Sequence, residues 1–475
     1  MKYASPGIYS ESVRNTSKSN FTEIVSSIGG FVGVSVRGKL NTPVLVTSWQ
    51  NFLDNFAYGV DTPFIADSYL AYSVYGFFQN GGTKCYIIRT ASKSATKASA
   101  EISGTTVSAK DEGTWGNNLK VVVTANEDTP ANFDITVKYG KDTVEVFKNV
   151  SNTTTDSNYF IGVLEGSKFI SCLTGTLSVT AETALSGGTD GVTDMEDSDY
   201  TNALKKFDTV EDISLICMPG QVSTTMTQAL VDYVDKRNNM YAILDGAESA
   251  TNDTIKTFRK TLTGKNAALY HPWIKVSDPL SKTGKLKSCP TCGHIMGMYA
   301  RTIENRGVWK APAGTEATVI GAVETVRALV KDDCDVLNPA GVNAVLPKSN
   351  YGIVVWGARS ICTTDDDMKY VSDVLLDMHI RKTLTKSTEF AVFEPNNNSL
   401  WGRVKAICEA FLDSLWRAGG LKGEESSEAY FVNCGADINN DEVIKEGKLL
   451  IDIGYAGTKP AEFVVFRISH TISNE

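Results

Sequence analysis

Hydrophobic and polar positions alternate with a period of two at the C-terminal end of the chain. The apolar positions on one side of this segment are Val464, Phe466, Ile468 and Ile472, and the positions on the other side are Arg467, Ser469 and Thr471. Strict alternation of this kind predicts an extended β-strand. The pattern runs to the end of the chain with no neighbouring hairpin partner.

The N-terminal end predicts a second extended segment. Residues 6–13 begin with Pro-Gly and continue as an extended run, and the polar stretch 15–20 that follows is typical of a flexible linker. An unpaired strand exposes backbone hydrogen-bonding groups, so it is a liability unless pairing is its purpose. Two interpretations stay open: the ends are donated to the sheets of other molecules, or they pair within their own chain.

The pattern between the two ends changes twice. Residues 91–190 are rich in Thr, Ser, Val, Asn and Gly and contain short alternating runs such as 119–124 and 133–139, which predicts an inserted all-β module. Beyond it, apolar strands at 212–218 and 241–245 flank a helical pattern at 226–237. Strands that alternate with helices predict an α/β region with a parallel sheet.

The last third of the chain combines strands and two long helices. Strands are predicted at 351–359, 429–434 and 448–455, and an amphipathic helix at 366–383. A second helix begins after Asn398. Its apolar stripe consists of Leu400, Val404, Ile407, Phe411 and Leu415, and its charged positions are Arg403, Lys405, Glu409 and Asp413.

Composition narrows the functional classes. With 475 residues the chain is expected to form two to four domains, and its 42% hydrophobic and 21% charged residues are typical of a globular protein. A net charge of −9 with scattered Lys and Arg argues against a nucleic-acid binder. The sequence shows neither a signal-peptide pattern at its start nor an apolar run long enough to cross a bilayer, so we expect synthesis and folding in the cytoplasm without direct membrane insertion.

The sequence offers little support for an enzyme. It contains no phosphate-binding loop, no nucleophile elbow and no zinc-protease motif, and its four histidines are far apart. The three carboxylates at 365–367 are expected at the N-terminus of the following helix, and the Gly-rich run 187–191 is expected to be a turn. We therefore predict no catalytic residue, no cofactor and no metal site.

The cysteines are expected to be reduced. They are nine in number, and most lie in apolar strand-like or helical contexts, which is atypical of a disulfide framework. Cys289 and Cys292 form a Cys-x-x-Cys pair with Pro290, which could indicate zinc or a redox site. Zinc would need two further ligands, and the only nearby candidate is His294. A loop with two reduced thiols is the favoured interpretation, because Pro290 lies between Gly284 and Gly293.

Motifs along nearly the whole chain resemble the sheath protein of contractile tails, as found in contractile-tailed phages, phage-tail-like bacteriocins and related injection systems. The residues that carry the resemblance lie at 6–11, 31–44, 69–82, 113–119, 293–313, 355–359, 392–396, 412–416 and 459–463. Among them are Trp356-Gly357-Ala358-Arg359 and Lys459-Pro460-Ala461-Glu462-Phe463. Two features depart from the resemblance: the Cys-x-x-Cys pair and the interior of the inserted module.

The resemblance implies a multidomain protein that combines α/β and α+β structure. Its parts would be a sheath core, an inserted all-β domain and extended N- and C-terminal strand arms. The expected organisation is an N-terminal arm and linker (1–21), a first part of the core (22–90), a β-rich outer domain (91–190), an α/β core (191–345), a C-terminal tube-proximal domain (346–460) and a C-terminal strand arm (461–475).

The resemblance also implies the function and the partners. The chain would form a helical homopolymer around an inner tail tube, meet baseplate and tail terminator proteins at the ends of the polymer, and contract to drive the tube through a cell envelope. Assembly would occur in the cytoplasm of a bacterial host, and the product would be a virion tail or a released tail-like particle. The predicted inter-subunit arm residues are Ile8, Tyr9, Glu11, Val13, Phe463, Val464, Val465, Phe466, Arg467 and Ile468, and the predicted tube-facing residues are Arg403, Lys405, Glu409 and Asp413.

Two other functional classes remain as alternatives at this point. The Thr- and Asn-rich module is compatible with a secreted β-rich surface-layer or adhesin subunit, which would require a secretion signal. The Cys289 and Cys292 pair is compatible with a cytosolic thiol or zinc enzyme.

Overall fold

The computed structural model describes residues 21–463, apart from residues 23, 58–62, 66–67, 103 and 173. The described strands, in chain order, are β1 (Gly29–Gly33), β2 (Val44–Val46), β3 (Cys85–Arg89), β4 (Ser99–Ile102), β5 (Thr105–Ala109), β6 (Leu119–Ala125), β7 (Phe133–Tyr139), β8 (Asp142–Val150), β9 (Ile170–Cys172), β10 (Thr180–Ala184), β11 (Leu215–Cys217), β12 (Tyr241–Asp245), β13 (Ala267–His271), β14 (Ile274–Ser277), β15 (Leu286–Cys289), β16 (Ala322–Thr325), β17 (Val342–Lys348), β18 (Gly352–Trp356), β19 (Tyr430–Asn433) and β20 (Asp452–Tyr455).

The described α-helices, in the same order, are α1 (Trp49–Phe56), α2 (Leu70–Gln79), α3 (Phe160–Glu165), α4 (Asp197–Leu204), α5 (Thr224–Arg237), α6 (Asn252–Thr261), α7 (Cys292–Arg306), α8 (Lys331–Leu337), α9 (Val371–Thr388), α10 (Asn398–Arg417), α11 (Ser426–Ala429) and α12 (Asp441–Lys445). The chain divides into two compact units. The smaller combines the described residues up to Ile24 with His379–Thr458, and the larger consists of Val25–Met378 together with the segment that begins at Lys459.

The larger unit is built on an eight-stranded sheet with the order β18-β17-β13-β12-β11-β1-β3-β2. Its inner strands are parallel, and β18 and β2 add antiparallel edges. β12 and β13 are buried at every position, because helices cover a sheet of this kind and its strands become continuous apolar runs. The predicted parallel α/β region is confirmed.

Apolar side chains of four helices pack together with those of the central strands. The helical contributions are Ala203 and Leu204 from α4, Met226, Leu230 and Val231 from α5, Ile255 from α6 and Leu337 from α8. A separate helix pair, α2 and α7, is packed closely, and α7 also contacts β11 and β12. Between β13 and β17 the chain forms a small antiparallel sheet with the order β15-β14-β16.

The inserted module contains two antiparallel sheets, β10-β6-β7-β8 and β4-β5-β9. Alternate residues of the strands point into a shared core: Leu119, Val121 and Val123 from β6 meet Ile135 and Val137 from β7. This arrangement is the one expected of a β-sandwich, in which inner faces are apolar and outer faces are polar. The all-β character predicted for this part of the chain is confirmed.

In the smaller unit, α10 packs against the two-stranded sheet β19-β20, and α11 precedes β19 directly. α9 contributes residues to both units, because the division falls at Met378. The five residues predicted as the apolar stripe of α10 are all buried: Leu400, Val404, Ile407, Phe411 and Leu415.

Two local predictions are wrong. Cys289 ends β15 and Cys292 begins α7, so the Cys-x-x-Cys pair joins a strand to a helix instead of lying in a loop. The cause is Asp245, whose carboxylate accepts the N–H groups of Thr291 and Cys292 and satisfies the start of α7 from another strand. Asp366 belongs to a separate 3₁₀ turn, Asp366–Met368, and α9 begins only at Val371.

Candidate assembly surfaces

The β19-β20 sheet has two strands in the part of the chain that the structure describes. Tyr430 pairs with Tyr455, and Asn433 pairs with Asp452. A two-stranded sheet is marginally stable in water and gains stability from further strands or from packing against a helix. Neither strand contains Lys or Pro, two of the residues that commonly protect an edge from pairing. A sheet of this size is suited to extension by a further strand.

Phe431 adds an apolar surface to this sheet. It is 60% exposed and lies over Gly454, whose missing Cβ leaves room for the ring. A strand added beside β19 could cover part of this exposed ring. The sequence signal for this surface was weak, because Tyr-Phe-Val-Asn is short and reads like any half-buried strand.

The start of α10 is fixed by asparagines of the motif at 392–396 and its neighbour. The Asn397 side chain accepts the N–H groups of Ser399 and Leu400, which caps the helix. Asn396 accepts the indole N–H of Trp401 at 2.6 Å and donates to the carbonyl of Lys448 at 2.8 Å. These contacts hold α10 and the chain before β20 in one arrangement.

The structure brings three of the four predicted tube-facing residues together. Lys405, Glu409 and Asp413 follow one another at intervals of four residues, which places them in one row along the helix. Lys405 pairs with Glu409 at 3.8 Å, and Arg417 pairs with Asp413 at 2.7 Å. Arg403 lies apart, because residues two positions apart do not share a helix face, and its guanidinium stacks over the Phe390 ring at 4.0 Å.

Small residues separate Arg403 from this charged row. Gly402, Ala406, Ala410 and Ser414 are all exposed and follow one another at intervals of four residues. On a helix of 3.6 residues per turn this series lies on the side opposite the buried stripe. A partner surface could approach the α10 backbone closely along this series, with charges on either side.

Phe393 is an exposed apolar residue that sequence reasoning missed. Its exposed fraction is 102%, that of Val392 is 65%, and the φ angle of Phe393 is 69°. Positive φ is a genuine outlier for a bulky side chain, and such strain is concentrated at functional sites. The sequence placed Phe393 in the family motif at 392–396 but gave no indication that its side chain is exposed.

The two ends of the described chain belong to different units. In the smaller unit, the Phe21 ring packs edge-to-face on Phe411 at 5.3 Å, and the N–H of Thr22 donates to Ser387 Oγ at 2.9 Å. Phe463, at the other end, is 73% exposed. The remaining predicted arm residues lie outside the described residues: Ile8, Tyr9, Glu11, Val13, Val464, Val465, Phe466, Arg467 and Ile468.

The cysteine pair has the electrostatics of a protein interior. Burial raises the pKa of Cys289 to about 12 and the pKa of Cys292 well above its usual value, so both thiols are protonated at neutral pH. Burial lowers the pKa of His294 to about 4, which leaves that imidazole neutral. Among the described residues no group of three or more His, Cys, Asp or Glu side chains is arranged to hold a metal ion. No described helix has the length and apolarity needed to cross a membrane.

Comparison with protein families gives three matches that follow one another along the chain. The phage tail sheath protein beta-sandwich domain matches residues 93–190, the phage tail sheath protein central domain matches residues 194–361, and the phage tail sheath C-terminal domain matches residues 363–471. The first range contains the two sheets of the inserted module, and the last contains α10 and the β19-β20 sheet.

Two characterised relatives are similar in sequence. A prophage major tail sheath protein of Pseudomonas aeruginosa is 23% identical over 261 residues, which cover 54% of this chain and 64% of the relative. The tail sheath protein of Salmonella phage ViI is 20% identical over 236 residues, which cover 48% of this chain and 36% of the relative. The chain therefore aligns with less than two thirds of the length of either relative.

Solved structures share the fold over almost the whole chain. The sheath complex of PVC, an extracellular contractile injection system, in its contracted state has a TM-score of 0.64 at 21% identity and covers 99% of both chains. The sheath tail protein of Listeria innocua has a TM-score of 0.65 at 13% identity, with 92% of this chain and 96% of that chain covered. With three family models matched in order and the same fold in sheath structures, the chain belongs to the phage tail sheath protein family.

Proposed function

We propose that this chain is the structural subunit of a contractile tail sheath, and that it polymerises around an inner tail tube by exchanging its terminal segments with neighbouring copies. The observation that carries the proposal is the β19-β20 sheet, which has only two strands among the described residues and contains neither Lys nor Pro. Strands donated by neighbours would extend this sheet, with backbone hydrogen bonds providing affinity and alternate side chains fixing the register.

Contraction in this proposal is a rearrangement of subunits that stay connected by their donated strands. The free energy would be stored in an extended lattice at assembly and released as subunits gain contact with one another. Burying an additional area of about 200 Å² per subunit would contribute about 5 kcal/mol at ~25 cal/mol per Å². Summed over a long sheath this suffices without a nucleotide.

The inner tube would meet α10. A contact that holds the tube before firing and releases it afterwards should be polar and modest in area, because a large apolar interface would not let go. The small residues on the outward side of α10, flanked by Arg403 and by the row Lys405, Glu409 and Asp413, fit this requirement. Solved relatives come from a sheath complex and from baseplate structures, which supports association with a baseplate at one end of the polymer.

The proposal is tested by two truncations of the full chain, one without residues 1–20 and one ending at Phe463. Both proteins should stay folded, because the described cores do not include these segments, and both should fail to form cylinders. Electron microscopy and pelleting measure the polymer, and circular dichroism and thermal melting measure the fold.

The alternative of pairing within one chain predicts a different result. Each truncation would then lower the melting temperature of the unassembled protein, because an internal sheet would lose a strand. Cylinders of normal length and contraction from either truncated chain would contradict the proposal.

A further inference from the structure

One carboxylate in the larger unit is held by three side chains just before the C-terminal arm. Glu462 accepts from Arg359 through both oxygens, at 2.8 Å from Nε and 2.9 Å from Nη2. Asn338 Nδ2 donates to Oε1 at 2.6 Å, and the Tyr370 hydroxyl donates to Oε2 at 2.9 Å. Two carboxylate oxygens therefore receive four hydrogen bonds.

Burial and charge make this contact stronger than an ordinary surface ion pair. The side chains of Arg359 and Glu462 are 14% and 17% exposed. Burial by itself would raise the pKa of Glu462, but the hydrogen bonds from Arg359, Asn338 and Tyr370 outweigh it and lower the pKa to about 2. A bidentate guanidinium–carboxylate pair also fixes orientation, because both planes must align.

Arg359, which donates two of the four hydrogen bonds, is itself held in place by β17. The buried Asn343 of β17 accepts the Arg359 N–H at 2.7 Å and donates to the Arg359 carbonyl at 2.8 Å, so the backbone beyond β18 is fixed. Arg359 also forms a bridge with Tyr370 immediately before α9. Gly357 allows this path, since a Cβ there would lie 2.9 Å from the Asn343 side-chain oxygen. The motif at 355–359 thus builds the receptor for the motif at 459–463.

Within the described residues, neither the N-terminal end of the chain nor the residues beside Glu462 have a comparable contact. At the N-terminal side the attachment consists of the Phe21–Phe411 ring contact and the hydrogen bond from Thr22 to Ser387. Next to Glu462, the pair Lys459–Asp367 at 2.8 Å is solvent-exposed, and Phe463 is already 73% exposed. The strong attachment therefore ends at Glu462.

We propose that Glu462 is a positioning residue that fixes the root of the C-terminal arm on the larger unit. The inference rests on the proposed function, in which the arm is inserted into a second copy of the chain. Pull from that copy during contraction is transmitted through Arg359 to β17 and β18 of the larger unit. An arm that is pulled by a neighbouring subunit needs a fixed attachment point. The Glu462 carboxylate supplies one, because it accepts four hydrogen bonds from residues of the larger unit.

The test uses Glu462→Gln in the full chain, which keeps the side-chain shape and removes the charge. Cleavage after Phe463 by chymotrypsin in the native, unassembled protein should accelerate severalfold, because the chain at Phe463 would no longer be held by the neighbouring carboxylate. Sheaths should form, but the fraction that contracts without breaking should fall severalfold in electron micrographs. Tyr370→Phe, which removes one hydrogen bond, should give a smaller change of the same kind and keeps the test decisive if Glu462→Gln fails to fold.

The matched control is Glu316→Gln in the exposed pair Arg306–Glu316 of the same unit, where both carboxylate oxygens also meet the guanidinium. It should leave sheath length and contraction unchanged. Intact contraction of both Glu462→Gln and Tyr370→Phe would overturn the inference, as would unchanged chymotryptic cleavage after Phe463. A chain ending at Phe463 that still forms sheaths would instead overturn the proposed function, so the two failures are distinguishable.

Discussion

At the scale of single residues, the glycines between α2 and α7 show what several of the family motifs do. A Cβ on Gly293 would lie 2.4 Å from Ser73 Cβ and 2.5 Å from the Ser73 carbonyl oxygen, and a Cβ on Gly76 would lie 2.4 Å from the His294 ring. Real Cβ atoms do not approach so closely, so the two helices can pack at this distance only where side chains are absent. These motif residues serve the core and not a binding site.

Gly293→Ala should therefore destabilise the unassembled protein by about 1–3 kcal/mol, because the neighbouring atoms are backbone and cannot rotate away. Gly402→Ala in α10 is the control, because it should change stability in the opposite direction. That glycine has nothing within 4 Å of an added Cβ, and replacing an exposed helical glycine by alanine stabilises by roughly 0.5–1 kcal/mol. Differential scanning calorimetry of both variants checks the pair, and equal shifts in one direction would refute the packing argument.

At the scale of elements, α10 has one side that is buried in the smaller unit and one exposed side that is available to a partner. Eight of its residues are buried, including Trp401, Cys408 and Leu412 in addition to the predicted stripe. The exposed side carries Gly402, Ala406, Ala410 and Ser414 in its middle and charges at its edges. A charge reversal at Arg403 and one at Lys405 therefore probe different edges of the same helix.

Lys405→Glu should weaken sheath growth on tubes at moderate salt, if this edge meets the tube. The change also places a carboxylate four residues before Glu409, which costs about 0.2–0.5 kcal/mol and leaves the fold intact. Arg403→Glu, tested alone, reports on the opposite edge. Pelleting with purified tubes across a salt series measures both, because screening weakens charge contacts.

Lys331→Glu is the matched control for this experiment. Lys331 pairs with Asp335 at 2.8 Å in the same i,i+4 arrangement, but on α8 of the larger unit. It should cost the same stability and leave tube binding unchanged. Equal binding by Lys405→Glu, Arg403→Glu and the control would move the tube contact away from the α10 edges.

The sequence predicted the elements better than their junctions. Periodicity found β7, β12 and the buried side of α10, because each of these patterns follows from local burial. It placed Cys292 in a loop because Pro290 and Gly293 are turn signals, whereas the structure starts α7 there with help from Asp245, which is distant in sequence. It missed the bonding of Glu462 for the same reason, since Arg359 is separated from it by a hundred residues of chain.

At the scale of the whole molecule, the inserted module is joined to the rest of the larger unit by two buried arginines. Arg89, on β3, donates to the carbonyls of Gly38 and Glu112, and Arg37 donates to the Lys168 carbonyl and lies over the Trp115 ring at 4.3 Å. Glu112, Trp115 and Lys168 belong to the module. These contacts favour a module that moves with its unit as one piece. The position of the module on the outside of the sheath, away from the tube, stays a prediction from the sequence.

The chain enters and leaves the module at one place, where the Ser92 N–H donates to the Gly191 carbonyl at 2.9 Å. A short Gly-Ser linker from Ala91 to Val192 can therefore replace the module without stretching the remaining chain. Arg37 and Arg89 would exchange their module contacts for water, so the melting temperature should fall. The shortened protein should nevertheless fold and form cylinders, because the module core lies almost wholly within residues 98–185.

Inserting the same linker at Gly140, in the turn between β7 and β8 where an added Cβ meets nothing within 4 Å, controls for the linker itself. Circular dichroism and electron microscopy of both proteins decide the outcome. A shortened protein that does not fold, beside a folded control, would show that the module is needed for the central sheet to form. A shortened protein that folds but forms no cylinders would place an assembly contact on the module, against its proposed position as an outward decoration.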